Sequence, residues 1–228
     1  MKNGRIFTHQ QLREMETPLA DQVAAAIDGG RLEEAKVLAR QMEQEFVPMV
    51  HIFEDFVTAL LSWVGRQQGE DALRDSLRYA AEKVMQPMHD DLTACDFATL
   101  VKVYAGFFRA HTGRGLRIEE DEEKVTLVLD PCGSGGRMVK AGYFAPPKDL
   151  FQVADGTDFT FGRRNFPSYC THCAIFHHIM PIEWSGKPFP PIEVGEGPGD
   201  PCRWHLYKNT DKIPDRYYEQ VGKKRSLL

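Results

Sequence analysis

The sequence lacks the long, uninterrupted apolar runs that are typical of membrane proteins. Its longest candidate, residues 53–64, contains Glu54 and Asp55, and it falls short of the ~18 consecutive apolar residues that a membrane helix needs. Lys2 supplies a charge near the start, but no apolar segment of the signal-peptide type follows it. We therefore expect a cytoplasmic protein with no membrane partner.

An excess of positive charge is also missing. Lysine and arginine together number 28 against 33 aspartates and glutamates, for a formal net charge of −5. Binding to nucleic acid needs a basic surface that neutralises phosphates. The short basic run at residues 223–225 is interpreted as a solvated tail. We expect no nucleic-acid partner, and a small molecule as the substrate or ligand.

Cysteines are few, and their number is odd. The five residues are unevenly spaced, which argues against a disulfide framework and favours metal binding or a reactive thiol. Cytoplasmic thiols also stay reduced. The remaining composition, 42% apolar and 27% charged over 228 residues, is that of an ordinary globular protein, so we predict a single domain spanning residues 1–228.

The first half of the chain reads as helical. Apolar residues recur at helical spacing over residues 8–112. Gly29-Gly30 is predicted to end the first helix, and Pro48 to kink the second, which ends near Gly65. A third helix is predicted at about 71–88 and a fourth at about 96–111.

The sequence pattern changes from helical periodicity to β-forming residues in the part of the chain that covers residues 113–228. Residues 116–118 and 125–129 are rich in β-formers and predict a hairpin. A helix is predicted at about 167–179, and further strands at 192–194 and 203–207. The fold class is therefore predicted as α+β, with N-terminal helices packed on a small antiparallel sheet that carries one inserted helix.

Four cysteines lie in the last hundred residues and suggest a metal site. Cys170 and Cys173 form a C-x2-C pair, which a helix would place on one face together with His177. Cys132 and Cys202 can complete a tetrahedral set that suits zinc, with iron or an iron–sulfur cluster as alternatives. Cys95 stands apart and is interpreted as structural.

Cys132 has rival interpretations. The run Pro131-Cys132-Gly133-Ser134-Gly135-Gly136 can hold a metal ligand. Its backbone N–H groups can instead form an anion-binding nest around a nucleophilic thiolate. The glycines can also simply permit a tight turn. All three interpretations stay open at this point, while the absence of a Gly-Lys-Ser/Thr ending excludes a P-loop.

Histidines and arginines supply the remaining candidates. His177 and His178 are predicted to move protons, and His205, in a strand, is predicted to face solvent. Three arginines are predicted to bind a substrate carboxylate: Arg137, Arg163 and Arg164. A di-iron site is set aside because the order of His51 and Glu54 reverses the Glu-x-x-His motif, so solvated helix faces explain these residues better.

From about Val125 onward the chain resembles 4-vinyl-reductase-type small-molecule-binding domains and the L-2-aminothiazoline-4-carboxylate hydrolase family. The resemblance is carried by short motifs: Asp130-Pro131-Cys132, Tyr169-Cys170 and Gly199-Asp200-Pro201-Cys202-Arg203-Trp204. The reductase-type domains have a further cysteine where this chain has Val194-Gly195-Glu196, and Cys173 can supply that ligand. The resemblance implies a ligand pocket beside a metal and, in the hydrolase branch, opening of a small heterocycle.

Two classes of function follow from these residues. The first is a metal-binding hydrolase that acts on a C–N or C–S bond of a small polar substrate. The second is a small-molecule-binding sensor module with a structural four-cysteine zinc site, since sites with four thiolates are usually closed. Either can act as a homo-oligomer.

Overall fold

The computed structural model describes residues 6–112, 115–197 and 200–225. The chain divides into two compact units, Met1–Ile52 and Phe53–Leu228. Helices followed by a small antiparallel sheet confirm the α+β class. The division falls inside a long helix, whereas the sequence suggested a change of character near residue 112, and the single domain stays a prediction.

The first unit contains two short helices and the start of a long one. Helix α1 (His9–Glu16) begins with a capping box, in which Thr8 and Gln11 exchange hydrogen bonds. Helix α2 (Leu19–Asp28) ends at Gly29, as predicted. One continuous first helix was expected; instead it breaks at Thr17, which is extended because the following proline disfavours the helical conformation there.

Helix α3 (Leu32–Gln68) belongs to both units and continues through Pro48. By length and composition alone it is able to cross a membrane, so the expectation that no such stretch exists is wrong. One helix of this kind is weak evidence, because helices of water-soluble proteins meet the same criterion. The cytoplasmic location stays a prediction.

Three helical segments replace the predicted third helix. They are α4 (Glu70–Ala80), a π-helical turn (Ala81–Met85) and α5 (Gln86–Thr93). The π turn ends just before Gln86-Pro87, where proline lacks the N–H that an α-helix would use. Helix α6 (Phe97–Thr112) follows, and the Asp96 carboxylate caps it by accepting the Thr99 N–H at 3.0 Å.

The second unit is built around a four-stranded antiparallel sheet of order β1-β2-β6-β5. The strands are β1 (Leu116–Glu120), β2 (Lys124–Leu129), β5 (Ile192–Glu193) and β6 (Cys202–Tyr207). The predicted hairpin is β1 with β2. A second, two-stranded sheet pairs β3 (Gln152–Val153) with β4 (Phe166–Pro167). The glycine-rich segment after β2 runs into helix α7 (Gly135–Lys140), which the sequence did not predict.

The two faces of the four-stranded sheet are both covered. One face presents Leu127, Trp204 and Leu206, which pack with residues of α6 such as Phe108. The opposite face presents His205 and Tyr207, covered by the C-terminal segment with α10 (Arg216–Glu219). The prediction that His205 faces solvent is therefore wrong, because its ring is 4% exposed and its Nδ1 lies 2.9 Å from Thr126 Oγ1.

The inserted helix is longer than predicted and contains another π turn. Its segments are α8 (Thr171–Ala174), a π turn (Ile175–Ile179) and α9 (Met180–Ser185). Pro181 again follows the π turn after one intervening residue, and it donates no N–H to the His177 carbonyl oxygen. That oxygen instead accepts the Phe189 N–H at 2.7 Å, which ties the helix to the loop that leads into β5.

Candidate thiol site

Four cysteines approach one another from three separate segments of the second unit. Cys132 follows β2, Cys170 and Cys173 lie at the start of α8, and Cys202 begins β6. Each is partly buried, and Cys132, Cys173 and Cys202 pack against the core between α6 and the sheet. Cys95 is exposed before α6, and its Sγ lies 3.4 Å from the Asp91 carbonyl oxygen.

Strand register and one glycine bring the segments together. Cys202 pairs with Leu129 across the β2–β6 ladder, so the chain that leaves β2 toward Cys132 passes close to it. On the other side, Gly135 lies directly against Cys170. A Cβ atom at Gly135 would lie 2.5 Å from Cys170 Sγ, so this close approach requires glycine.

The thiols lie close enough together to raise one another's pKa values. Burial raises the pKa of Cys170 well above its ordinary value, and the nearby Cys202 and Cys132 raise it further. Burial and the three other thiols do the same for the pKa of Cys173. Burial and then Cys132 raise the pKa of Cys202 to about 12. Cys170, Cys173 and Cys202 are therefore neutral thiols at pH 7, and ionising them is unfavourable without a compensating cation.

The metal-binding role of these cysteines stays a prediction. Within residues 6–112, 115–197 and 200–225, no group of three or more histidine, cysteine, aspartate or glutamate side chains is arranged to hold a metal ion. Two polar neighbours approach the thiols instead. Cys132 Sγ lies 3.4 Å from Ser134 Oγ, and Cys173 Sγ lies 3.5 Å from His172 Nε2.

His172, which the sequence offered with His177 and His178 as a ligand or general base, lies beside the thiols. Its Nδ1 donates to the Tyr169 carbonyl oxygen at 2.5 Å, so in the neutral ring Nε2 carries the lone pair that faces the Cys173 thiol. Burial lowers the pKa of His172 and favours this neutral form. The raised pKa of the Cys173 thiol and the lowered pKa of His172 both keep the proton on sulfur, so a neutral thiol faces a neutral imidazole.

His177 is neutral, buried and oriented. Its Nδ1 donates to the Phe189 carbonyl oxygen at 3.2 Å, and its ring packs edge-to-face on Trp204 at 4.5 Å between centroids. Burial, with His172 nearby, lowers the pKa of His177 to about 3. The backbone hydrogen bond selects the tautomer with an unprotonated Nε2, which is the form that a base or ligand requires. Its catalytic role stays a prediction.

His178 is bonded on both sides of its ring. Nδ1 donates to the Tyr217 carbonyl oxygen at 3.0 Å, and Nε2 accepts the Ile192 N–H at 2.9 Å. Burial lowers its pKa to about 4. The ring thus joins the inserted helix to β5 and to α10, which favours a structural role over the proton transfer predicted for it.

The three arginines predicted to bind substrate all have partners within the chain. Arg163 donates to the carbonyl oxygens of Gly195 and Val194, where it holds the loop before Cys202. Arg164 pairs with Asp155 at 3.1 Å on the surface. Arg137 contacts Asp55 at 2.6 Å and Glu54 at 3.2 Å. Substrate binding by these arginines stays a prediction.

Glu54 is the buried ionisable residue whose importance the sequence analysis missed. It is 7% exposed, so its interpretation as part of a solvated helix face is wrong. It lies between Arg137 and His111, whose Nε2 is 3.4 Å from Glu54 Oε1. Burial raises its pKa to about 7, although Arg137 opposes the shift. The sequence did contain an indication that Glu54 belongs to a distinct polar face, because Glu54, Thr58 and Ser62 recur every four residues on one side of α3.

The chain was compared with protein families, curated proteins and solved structures. No family model, curated protein or solved structure matches the chain. The resemblance to 4-vinyl-reductase-type domains and the L-2-aminothiazoline-4-carboxylate hydrolase family therefore stays a prediction, and the candidate function depends on the geometry described above.

Proposed function

We propose that this chain is a metal-binding hydrolase that acts on a C–N or C–S bond of a small polar substrate. Its metal ligands are drawn from Cys132, Cys170, Cys173 and Cys202, and hydrolysis requires that one coordination position stays open to water or substrate. The observation that carries the proposal is the convergence of four partly buried thiols from three segments of the fold, while Cys95 is exposed elsewhere. Soft thiolate donors select zinc first, and iron second.

Metal loading would have to ionise these thiols, three of which have raised pKa values. Thiols must lose their protons to bind a metal, so loading releases protons and depends on pH. His172 Nε2 lies 3.5 Å from Cys173 Sγ, and a bound cation, by lowering the pKa of the thiol, would allow the proton to pass to it. A bound zinc ion would supply Lewis-acid polarisation of the substrate.

Glu54 is the best candidate for moving a proton at neutral pH. A general base works best when its pKa lies near the working pH, and the pKa of Glu54 is about 7. Its negative charge also raises the pKa of Tyr169, a residue otherwise shifted mainly by burial. Because Tyr169 precedes Cys170 and its ring lies against Gly135, Glu54 is electrostatically linked to the thiol site.

Metal analysis tests the first half of the proposal. The full chain is purified without oxygen, and its zinc and iron contents and absorption spectrum are measured. We expect about one metal ion per chain, lost in Cys170→Ser and retained in the control Cys95→Ser. Retention of metal in Cys170→Ser would contradict the ligand assignment. A brown protein with acid-labile sulfide would identify an iron–sulfur cluster instead.

Substrate turnover tests the second half. Metal-loaded protein is incubated with small heterocycles that contain a C–N or C–S bond and a carboxylate, L-2-aminothiazoline-4-carboxylate among them, and ring opening is followed by mass spectrometry. We expect hydrolysis that falls at least ~100-fold in Glu54→Gln, with metal content unchanged. Undiminished turnover in this variant would remove Glu54 from the reaction.

A second candidate is a small-molecule-binding module with a structural zinc site. One observation favours it: both ring nitrogens of His178 are used by backbone groups. A zinc ion held by all four thiolates would also have no open position. Substitution with cobalt separates the candidates, since a spectrum of four sulfur ligands indicates a closed site. Three sulfur ligands with one exchangeable water indicate the hydrolase.

A further inference from the structure

The part of α3 that lies in the second unit has its polar face turned inward. Glu54 pairs with Arg137, Thr58 Oγ1 lies 3.3 Å from a methionine sulfur, and Ser62 Oγ accepts the Phe151 N–H at 3.1 Å. Surface helices of water-soluble domains normally bury their apolar side and expose their polar side. Here the inner face combines these polar side chains with the buried Leu61 and the partly buried Val64.

The apolar side of the same segment is consequently exposed. This outer face consists of the following residues, with their exposed fractions: Phe53 (62%), Phe56 (59%), Val57 (42%), Leu60 (50%) and Trp63 (57%). Phe53, Phe56, Leu60 and Trp63 follow a spacing of three, four and three residues, which is that of a helix seam that packs against another helix. The same spacing precedes them in the sequence at Met42, Phe46 and Met49.

The area of the outer face matches that of an interface between proteins. An aromatic side chain offers about 200 Å², so the exposed fractions of Phe53, Phe56 and Trp63 amount to roughly 350 Å². Leu60 and Val57 bring the outer face to roughly 500 Å². Monomeric proteins rarely expose a contiguous patch of more than a few hundred Å², whereas two such faces together reach the ~1,000 Å² that a specific interface needs.

The charges around the outer face favour a protein over a lipid surface. Helices that lie on membranes carry lysines and arginines on their polar side, but the polar side of this segment carries Glu54 and Asp55, and both are ion-paired to Arg137. The chain as a whole has a net charge of −5. A repeating three–four seam is complementary to itself, and two-fold dimers are the commonest assemblies of identical chains.

We propose that the outer face of α3 (Phe53, Phe56, Val57, Leu60 and Trp63) is a dimerisation surface, and that it is covered by the same face of a second copy of this chain. The proposal is independent of the metal site and of the hydrolase reaction.

Sedimentation equilibrium of the full chain over about 0.1–100 µM tests the proposal. The wild-type chain, of 25.9 kDa, sediments with twice that mass. The double variant Phe56→Gln/Leu60→Gln weakens dimerisation by at least ~100-fold, since aromatic residues at the centre of an interface dominate its affinity. The matched control is Tyr79→Gln, which removes an aromatic side chain that is 65% exposed on α4; it remains dimeric.

A second measurement needs no disruptive variant. The accessibility of Trp63 to acrylamide is obtained from the difference in fluorescence quenching between the wild-type chain and Trp63→Phe. It falls as the protein concentration rises through the range of dimerisation. A wild-type chain that stays monomeric with Trp63 accessible at every concentration overturns the proposal. So does a monomer that partitions into neutral phosphatidylcholine vesicles with Trp63 shielded, because a lipid surface would then be the occupant.

Discussion

Replacing Glu54 with glutamine should change how the stability of the second unit depends on pH. Burial raises the folded-state pKa of Glu54 from an ordinary value of 4.5 to about 7. Between these two values the folded chain holds a proton that the unfolded chain has lost, so the free energy of unfolding falls as pH rises. The loss is complete above pH 7, where both states are ionised.

The size of the effect follows from the two pKa values. A difference of one pKa unit corresponds to 1.36 kcal/mol, so the shift from 4.5 to about 7 corresponds to about 3 kcal/mol. Glutamine has the shape of the protonated glutamic acid and remains neutral at every pH. Arg137 keeps its contact with Asp55 at 2.6 Å, and no unpaired guanidinium is therefore left behind in the variant.

The assay is urea unfolding of wild type and Glu54→Gln at intervals from pH 5 to pH 8.5. The difference between the two curves isolates Glu54 from the buried histidines, whose protonation acts in the opposite direction. We expect similar stabilities at pH 5 and a variant that is about 3 kcal/mol more stable than wild type at pH 8.5. Glu122→Gln, at an exposed position between β1 and β2, serves as the matched control for the substitution itself. A pH-independent difference for Glu54→Gln would refute the reasoning.

Three further predictions concern the thiol site and its support. His178→Phe should cost about 2–5 kcal/mol in urea unfolding, because it leaves the Ile192 N–H and the Tyr217 carbonyl oxygen unpaired; a loss below about 0.5 kcal/mol would contradict the structural role. Gly135→Ala should disturb the thiols by pressing on Cys170 Sγ, and should lower metal content at unchanged helicity; full metal occupancy would argue against the close approach. Burial lowers the pKa of His178 to about 4. The stability that the neutral ring contributes is therefore complete above pH 6.5 and is lost as the pH falls toward 4. If the difference in unfolding free energy between wild type and His178→Phe stays constant from pH 7 to pH 4.5, this predicted pH dependence is wrong.

Much of the fold could be predicted from local sequence, because helix and strand periodicities report which side of an element is apolar. The β1–β2 hairpin, the end of α2 at Gly29 and the strand that begins at Cys202 all follow from residues close together in the chain. The grouping of Cys132, Cys170, Cys173 and Cys202 in one region of the fold was predictable from their positions in the sequence. The π turns before Pro87 and Pro181 were not, because their position depends on where each proline falls within an already formed helix.

Only the tertiary structure decided which face of each element is covered. Alternation along β6 placed His205 opposite Trp204 correctly, but burial of that opposite face depends on the distant Tyr217 of α10. The polar spacing in α3 was visible in the sequence, yet apolar residues are normally assigned to the core, and here Arg137 from α7 draws Glu54 inward and leaves Phe53 outside. Sequence periodicity determines that a helix has two different faces. Contacts between segments far apart in the chain decide which of them meets the protein and which meets its surroundings.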